Sequence, residues 1–256
     1  MGLVKPKKFL GQHFLRDLGI ANDIADTVDA CPNLPVLEVG PGMGVLTQFL
    51  MKKDREVKVV ELDFESVAYL KENFSALEGH IIEDDFLKLK LENIFEGKPF
   101  VLTGNYPYNI SSQIFFKMLD YKDLIPCCTG MIQKEVAERI AAGPGSKTYG
   151  ILSVLLQAWY DIDYLFTVHE NVFNPPPKVK SAVIRMKRNN VSQLDCDEKL
   201  FVTVVKQAFN QRRKTMRNSL RSLIPQEIIQ DEIFNKRPEQ LSVQEFVELT
   251  KKLEQN

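Results

Sequence analysis

The run Asn105-Tyr106-Pro107-Tyr108 is where this chain is best equipped for chemistry. It follows an apolar segment, Phe100 to Asn105, that reads as a β-strand. Ligands of open α/β sheets sit beyond the carboxyl ends of strands, so the position is informative. A proline turn with packed aromatics is the plainer explanation, and a common one. The chemical explanation starts from the exocyclic amine of adenine, a poor nucleophile because its lone pair is delocalised into the ring. Two acceptors gripping its N–H bonds localise that pair toward a methyl donor. The side-chain oxygen of Asn105 can be one acceptor. The carbonyl of Tyr106, stiffened by Pro107, can be the other. Tyr108 offers a flat face for the base. Methyl transfer from a sulfonium is an in-line displacement, so catalysis would rest on positioning and polar complementarity, with no covalent enzyme intermediate.

A second cluster lies upstream, in the Pro35 to Thr47 run P-V-L-E-V-G-P-G-M-G-V-L-T. Val36, Leu37 and Val39 predict a buried strand, Gly40, Gly42 and Gly44 a tight turn, and Leu46, Phe49 and Leu50 a following helix. Glycines permit positive φ and close approach of a ligand. A helix N-terminus behind them presents free N–H groups and partial positive charge. Two ligand classes compete for such a turn. Dinucleotides use G-x-G-x-x-G with an acid about 20 residues further on. Here the spacing is G-x-G-x-G, and Val45 follows. Glu61 ends a second strand, where a carboxylate accepts from ribose hydroxyls of either ligand. A diphosphate gains from the helix N-terminus, whereas a ligand without phosphate needs acids for its hydroxyls, amine and sulfonium. Asp85 ends a third strand at the same sheet edge and can accept from an adenine amine, although a lone Asp there is more often a turn residue. Glu38, Glu61 and Asp85 together favour S-adenosylmethionine.

The elements that must position these residues alternate. Strands are expected over Val57 to Asp63, His80 to Asp85, Phe100 to Asn105 and Pro126 to Gln133. Helical spacing marks Ile20 to Val28, Val67 to Phe74, Ile110 to Leu119, Glu135 to Ala142 and Ile151 to Tyr160. Two late strands, Ile162 to Val168 and Ser181 to Lys187, are joined through Asn174-Pro175-Pro176-Pro177 and suggest a hairpin-like addition at one edge. The fold class is α/β: a Rossmann-like, mostly parallel sheet with helices on both faces. After Arg188 the pattern becomes purely helical, as in the stripe Phe201, Val205 and Phe209. The boundary is therefore expected near residue 188, with 1–188 a catalytic domain and 189–256 a small all-α domain.

The bulk numbers exclude some classes. Formal net charge is -1 over 256 residues, so nucleic-acid binding must rest on local patches. One such patch is the acid-free stretch holding Lys206, Arg212, Arg213, Lys214, Arg217 and Arg221. If helical, Arg213, Arg217 and Arg221 share a face, and Lys5, Lys7, Lys8, Lys178 and Lys180 extend the track. A charge run is usually only a solvated face. The cysteines Cys31, Cys127, Cys128 and Cys196 form no C-x-x-C, and with three scattered histidines complete no metal set. Reduced cysteines in a cytoplasmic protein are expected. No stretch is apolar enough to span a bilayer, and no apolar signal core follows Met1. The basic arm Lys5 to Leu15 is expected to dock through Phe9, Phe14 and Leu15.

Taken together, these motifs resemble the ribosomal RNA adenine dimethyltransferase family, closest to its bacterial small-subunit branch. The resemblance is carried by Phe9 to Leu15, Glu38 to Gly44, Glu61, Asp85, the N-Y-P-Y-N-I-S run from Asn105, the V-F-N-P-P-P-K-V-K-S run from Val172 and the A-F-N-Q-R-R-K-T-M-R-N-S-L run from Ala208. It spans nearly the whole chain. It implies S-adenosylmethionine as cofactor, a helical C-terminal domain, and dimethylation of two adjacent adenines in a hairpin loop near the 3′ end of small-subunit rRNA. By motif position, His13 and Leu15 would close over the cofactor, Gly40 would lie beside its methionine part, Glu61 on the ribose and Asp85 at the adenine. Asn105 would touch both cofactor and target amine. His13 stands where many relatives have Asn, and Tyr106 replaces a commoner Leu. A flipped base must be held by stacking, and Phe173, before three prolines, is expected to sandwich it against Tyr108. A core Phe at a strand end is the plainer alternative. The expected partner is small-subunit rRNA within an assembling 30S particle, bound by a monomer without metal or membrane. The competing readings are a large-subunit rRNA methylase of the resistance type, a DNA adenine methylase and an assembly factor with a vestigial site.

Overall fold

The computed structural model describes residues 4–7 and 10–254; Lys8 and Phe9 of the basic arm lie outside them. Two compact units divide the chain. One runs to Ala137 and resumes over Ile162–Arg188; the other takes Glu138–Asp161 and continues from Asn189.

The first unit is built on strands β1 (Phe14–Leu15), β2 (Val36–Val39), β3 (Val57–Val60), β4 (Ile81–Ile82), β5 (Val101–Thr103), β6 (Cys127–Gln133), β7 (Tyr160–Val168, which it shares with the second unit), β8 (Phe173–Asn174) and β9 (Ser181–Arg188). Seven of them form one sheet in the order β4-β3-β2-β5-β6-β9-β7. The pairs β4–β3, β3–β2, β2–β5 and β5–β6 are parallel, and β9 runs antiparallel to β6. The expected alternation and the late addition at one edge are both present. β2 is buried at every position, as a central strand covered on both faces must be. Helix α1 (Leu18–Asp26) precedes β2, and α2 (Thr47–Leu50), α3 (Phe64–Asn73) and α4 (Ser111–Asp120) connect strands of this sheet. α1 begins at Asp17, whose carboxylate accepts from the Ile20 N–H at 3.1 Å, and it buries Ala21, Ile24 and Ala25. Register aligns the strand ends: Val39 lies opposite Val60, and Glu38 opposite Thr103. The residues that follow β2, β3 and β5 therefore emerge at one edge.

β1 and β8 form a separate two-stranded ribbon, with Leu15 opposite Phe173. The arm thus docks through Phe14 and Leu15, as expected, and Leu15 enters the core with Ile24, Met131 and Phe173.

Helix α5 (Lys134–Ala141) runs from the first unit into the second, where α6 (Ile151–Gln157), α7 (Glu198–Asn210), α8 (Met216–Ser219) and α9 (Val243–Glu254) follow. Residues 138–161, placed by sequence with the sheet, cluster with these helices because their aromatics find partners there. The rings of Tyr149 and Phe209 meet edge to face at 6.1 Å, and those of Trp159 and Phe201 at 5.9 Å.

Two expectations need correction. Cys31 and Cys127, expected reduced, are joined in a disulfide with Cα atoms 5.8 Å apart; Cys128 and Cys196 are free. The contact crosses 96 residues of sequence and arises because the turn after α1 packs on the start of β6, a proximity that spacing does not reveal. The helix expected behind the glycines is only the four residues of α2, entered through turns from Gly42 to Leu46.

Candidate active site

The strand ends open onto a cavity of about 200 Å³ lined by the arm, the glycine turn, and the segments after β3, β4 and β5. Gly40, Gly42 and Gly44 have φ of 69, 55 and 76°. At Gly44 a Cβ would stand 2.4 Å from the Phe74 ring, so only glycine fits. The turn is tied sideways: the Gly42 N–H donates to Glu61 Oε2 at 3.0 Å. Glu61 Oε1 accepts from the N–H groups of Leu62 at 2.9 Å and Asp63 at 2.8 Å. Burial raises the Glu61 carboxyl, against these three bonds. Glu38 is 1% exposed and accepts from the Thr47 hydroxyl at 2.6 Å. Burial pushes its carboxyl up to about 8, with Thr47 opposing and Glu61 adding to the rise.

The arm closes one side. Asn105 Nδ2 donates to the His13 carbonyl at 3.2 Å, fixing the amide between arm and turn. Gln12 reaches Asp63 at 3.4 Å, and Lys7 pairs with the same carboxylate. Burial would raise Asp63, but Lys7, Ser66 and Gln12 hold it below its usual value. Asp85 serves as a turn residue after β4, where its Oδ1 accepts from the Leu87 N–H at 3.0 Å, and it also lines the cavity.

The Asn105-Tyr106-Pro107-Tyr108 turn is held by its neighbours. The Tyr106 N–H donates to the Met131 carbonyl at 3.0 Å, and its buried phenol reaches Cys128 Sγ at 3.2 Å and the Thr129 carbonyl at 3.1 Å. Its ring is therefore core. Gly130 permits this: its φ is 148°, and a Cβ there would stand 2.3 Å from the Gly104 carbonyl and 2.7 Å from the Tyr106 ring. Tyr108 lines the cavity with its ring stacked on that of His13, centroids 5.3 Å apart. His13 Nδ1 lies 2.9 Å from the Pro175 carbonyl oxygen.

The structure brings His13, Leu15, Gly40, Glu61, Asp85, Asn105, Tyr106, Pro107 and Tyr108 around one cavity. Phe173 is not among the lining residues. It is 3% exposed, opposite Leu15, inside the core. The ring across from Tyr108 is His13, because the β1–β8 ribbon turns Phe173 inward. Sequence reasoning gave no role to Thr47, Asp63, Gly130 or Ser181; only the glycine carried a visible signal.

The cavity decides between the two ligand classes. It is lined by Glu38, Glu61, Asp84 and Asp85, and by no Lys or Arg among the described residues. The Gly42 N–H is already spent on Glu61. A diphosphate would meet the carboxylates of Glu61, Asp84 and Asp85 without a countercharge, whereas a cationic sulfonium and ammonium are matched. No group of His, Cys, Asp and Glu suited to a metal occurs among the described residues. No helix among them is long and apolar enough to cross a membrane.

The positive patch is less regular than expected. α7 ends at Asn210, and the chain turns through 211–215 before the short α8, so Arg213, Arg217 and Arg221 do not share one helix face. Residues 210–214 bury no apolar stripe that would hold a helix together. Arg212 donates to the Ser146 carbonyl at 3.2 Å. Arg217 is half-buried and donates to Gln230 at 3.2 Å and Asn235 at 3.0 Å. Arg213, Lys214 and Arg221 are exposed.

The family model described as ribosomal RNA adenine dimethylase matches residues 4–255. The chain belongs to this family. A protein of Phocaeicola vulgatus named ribosomal RNA small subunit methyltransferase A is 79% identical over 99% of this chain and 91% of its own length. One of Bacteroides thetaiotaomicron with the same name is 74% identical over 100% of this chain and 96% of its own length. Among solved structures, a Plasmodium falciparum dimethyladenosine transferase shares the fold with a TM-score of 0.80 at 24% identity, over 95% of this chain and 98% of its own. The 23S rRNA methyltransferase ErmE gives 0.68 at 28% identity, over 93% and 99%. The dimethylase is an S-adenosylmethionine-dependent enzyme, and the acid-lined cavity fits that cofactor.

Proposed function

We propose that this dimethylase methylates two adjacent adenines in the 3′-terminal hairpin loop of small-subunit rRNA, converting each exocyclic amine to the dimethyl form. The observation that carries the reading is that the Asn105-Tyr106-Pro107-Tyr108 turn and the acids Glu38, Glu61 and Asp85 line one cavity. Donor and acceptor sites thus share a wall. The names of relatives 79% and 74% identical support the small subunit as target.

When bound, S-adenosylmethionine supplies an electrophilic methyl on a sulfonium. His13 and Leu15 of the arm, Gly40, Glu61 and Asp85 would hold it, Glu61 through the ribose hydroxyls and Asp85 through the adenine. Asn105 and the Tyr106 carbonyl accept the two N–H bonds of the target amine. Held this way, the amine would direct its lone pair at the donor methyl; that methyl would leave a neutral thioether as its S–C bond breaks, and the proton displaced from nitrogen would pass to solvent. The buried Tyr106 ring, with its phenol at Cys128 and the Thr129 carbonyl, anchors the turn that carries this carbonyl. Tyr108 supplies a stacking face. Arg213, Lys214 and Arg221 would neutralise RNA phosphates, with Arg212 and Arg217 serving mainly to hold their own loops. The enzyme would work as a cytoplasmic monomer on an assembling 30S particle.

The test is labelled-methyl transfer to unmethylated small subunits, with large subunits and DNA as competitors. Small subunits should be labelled selectively, and Asn105→Ala should lose at least about 100-fold in kcat. Preferential labelling of large subunits, or an active Asn105→Ala protein, would overturn the proposal.

A further inference from the structure

Ser181, the first residue of β9, is fully buried, and its hydroxyl is hydrogen-bonded to the phenol of Tyr108, 73 residues away. Its own position is rigid. Ser181 pairs with Gln133 at the end of the β6–β9 ladder, and the neighbouring Lys180 carbonyl accepts from the Lys134 N–H at 2.9 Å. The Tyr108 ring is therefore fixed at both ends: its backbone by the turn after β5, its phenol by the sheet. One face of the ring is covered by His13, whose Nδ1 is held at the Pro175 carbonyl. The two outer atoms of this ring pair are thus anchored by a single proline-rich segment, residues 175–181.

We propose that Ser181 is a positioning residue for the acceptor base, acting by fixing where the Tyr108 ring axis points while the stacked His13 ring sets its tilt. The inference rests on the dimethylase reading. A tyrosine ring has two side-chain torsions, and fixing its hydroxyl removes the swing that the turn alone leaves. A base stacked on that ring then meets Asn105, itself tied to the arm through the His13 carbonyl, at one tilt. Without the Ser181 hydroxyl, the half-buried phenol loses its partner and the ring turns to find another.

Steady-state methyl transfer to unmethylated small subunits, with S-adenosylmethionine affinity measured by calorimetry, tests this. Ser181→Ala should lose about 5- to 10-fold in kcat/KM for the acceptor, the worth of about one hydrogen bond, with cofactor affinity unchanged. Ser181→Thr, which keeps the hydroxyl, should retain activity. Tyr108→Phe should show the same loss, and the double variant no further loss, since both remove one interaction. A merely structural role would lower the melting temperature without this non-additivity. Wild-type kcat/KM in Ser181→Ala, or losses that multiply in the double variant, would overturn the inference. Should Ser181→Ala not fold, wild-type kcat/KM in Tyr108→Phe overturns it equally. Transfer by the wild type is the control that separates failure of this inference from failure of the dimethylase reading.

Discussion

Replacing Glu38 by Gln should change how stability depends on pH. Glu38 is buried in the ligand-free chain and its carboxyl is pushed up from the ordinary 4.5 to about 8. Between these two values the folded chain holds a proton that the unfolded chain has released. Its contribution to stability is therefore complete below about pH 4.5 and is lost as pH rises toward 8. At about 1.36 kcal/mol per pH unit, that interval corresponds to roughly 5 kcal/mol. Glu38→Gln keeps the shape and an acceptor for the Thr47 hydroxyl but cannot ionise. Urea unfolding of both proteins from pH 5 to 9, without cofactor, isolates the effect. Glu61 is also raised by burial, but it is present in both proteins and largely cancels. The stability of Glu38→Gln relative to wild type should rise by somewhat over 1 kcal/mol per pH unit up to about pH 8, then level off. A difference that stays constant across the range would show that Glu38 is already ionised at neutral pH and that the burial reasoning is wrong.

Other outcomes follow from the same geometry. Burial pushes the Glu38 carboxyl up to about 8 in the free protein, so binding of the cationic cofactor near neutral pH should release protons, seen as a dependence of calorimetric enthalpy on buffer ionisation heat. A binding enthalpy independent of buffer would contradict this. Phe173→Ala should cost about 3 to 5 kcal/mol in urea unfolding, as removal of a core ring does. If Phe173→Leu retains stability but loses kcat/KM for RNA, the ring also serves the base through a movement of the β1–β8 ribbon; unchanged kcat/KM leaves it a core residue. Arg213→Glu should weaken RNA binding and flatten its salt dependence with an unaltered melting temperature, whereas Arg217→Glu should lower the melting temperature, because Arg217 ties Gln230 and Asn235. Equal RNA affinity for Arg213→Glu at physiological salt would remove this residue from the contact surface.

Much of this was legible in the chain itself. The alternation of apolar strands and helices determined a doubly covered sheet, and the acids and the turn at predicted strand ends had to emerge at one edge, because parallel strands share a direction. Residue type and position alone singled out Asn105 and the turn that follows it as candidates, and both line the cavity. What the tertiary structure decided were the contacts between distant segments. The Cys31–Cys127 disulfide, the Ser181–Tyr108 hydrogen bond and the latch of Lys7 and Gln12 on Asp63 join residues whose separation carries no periodic signal. The same holds for Phe173. A phenylalanine before a proline run reads equally as clamp or core, and only the pairing of β8 with β1 turns it inward. The basic stretch shows the reverse limit: i,i+4 spacing predicted one helical face, but with no apolar stripe to bury, the helix stops at Asn210 and the cations separate. Local pattern specifies which way a segment can fold; which side chains then meet depends on packing, which no single segment contains.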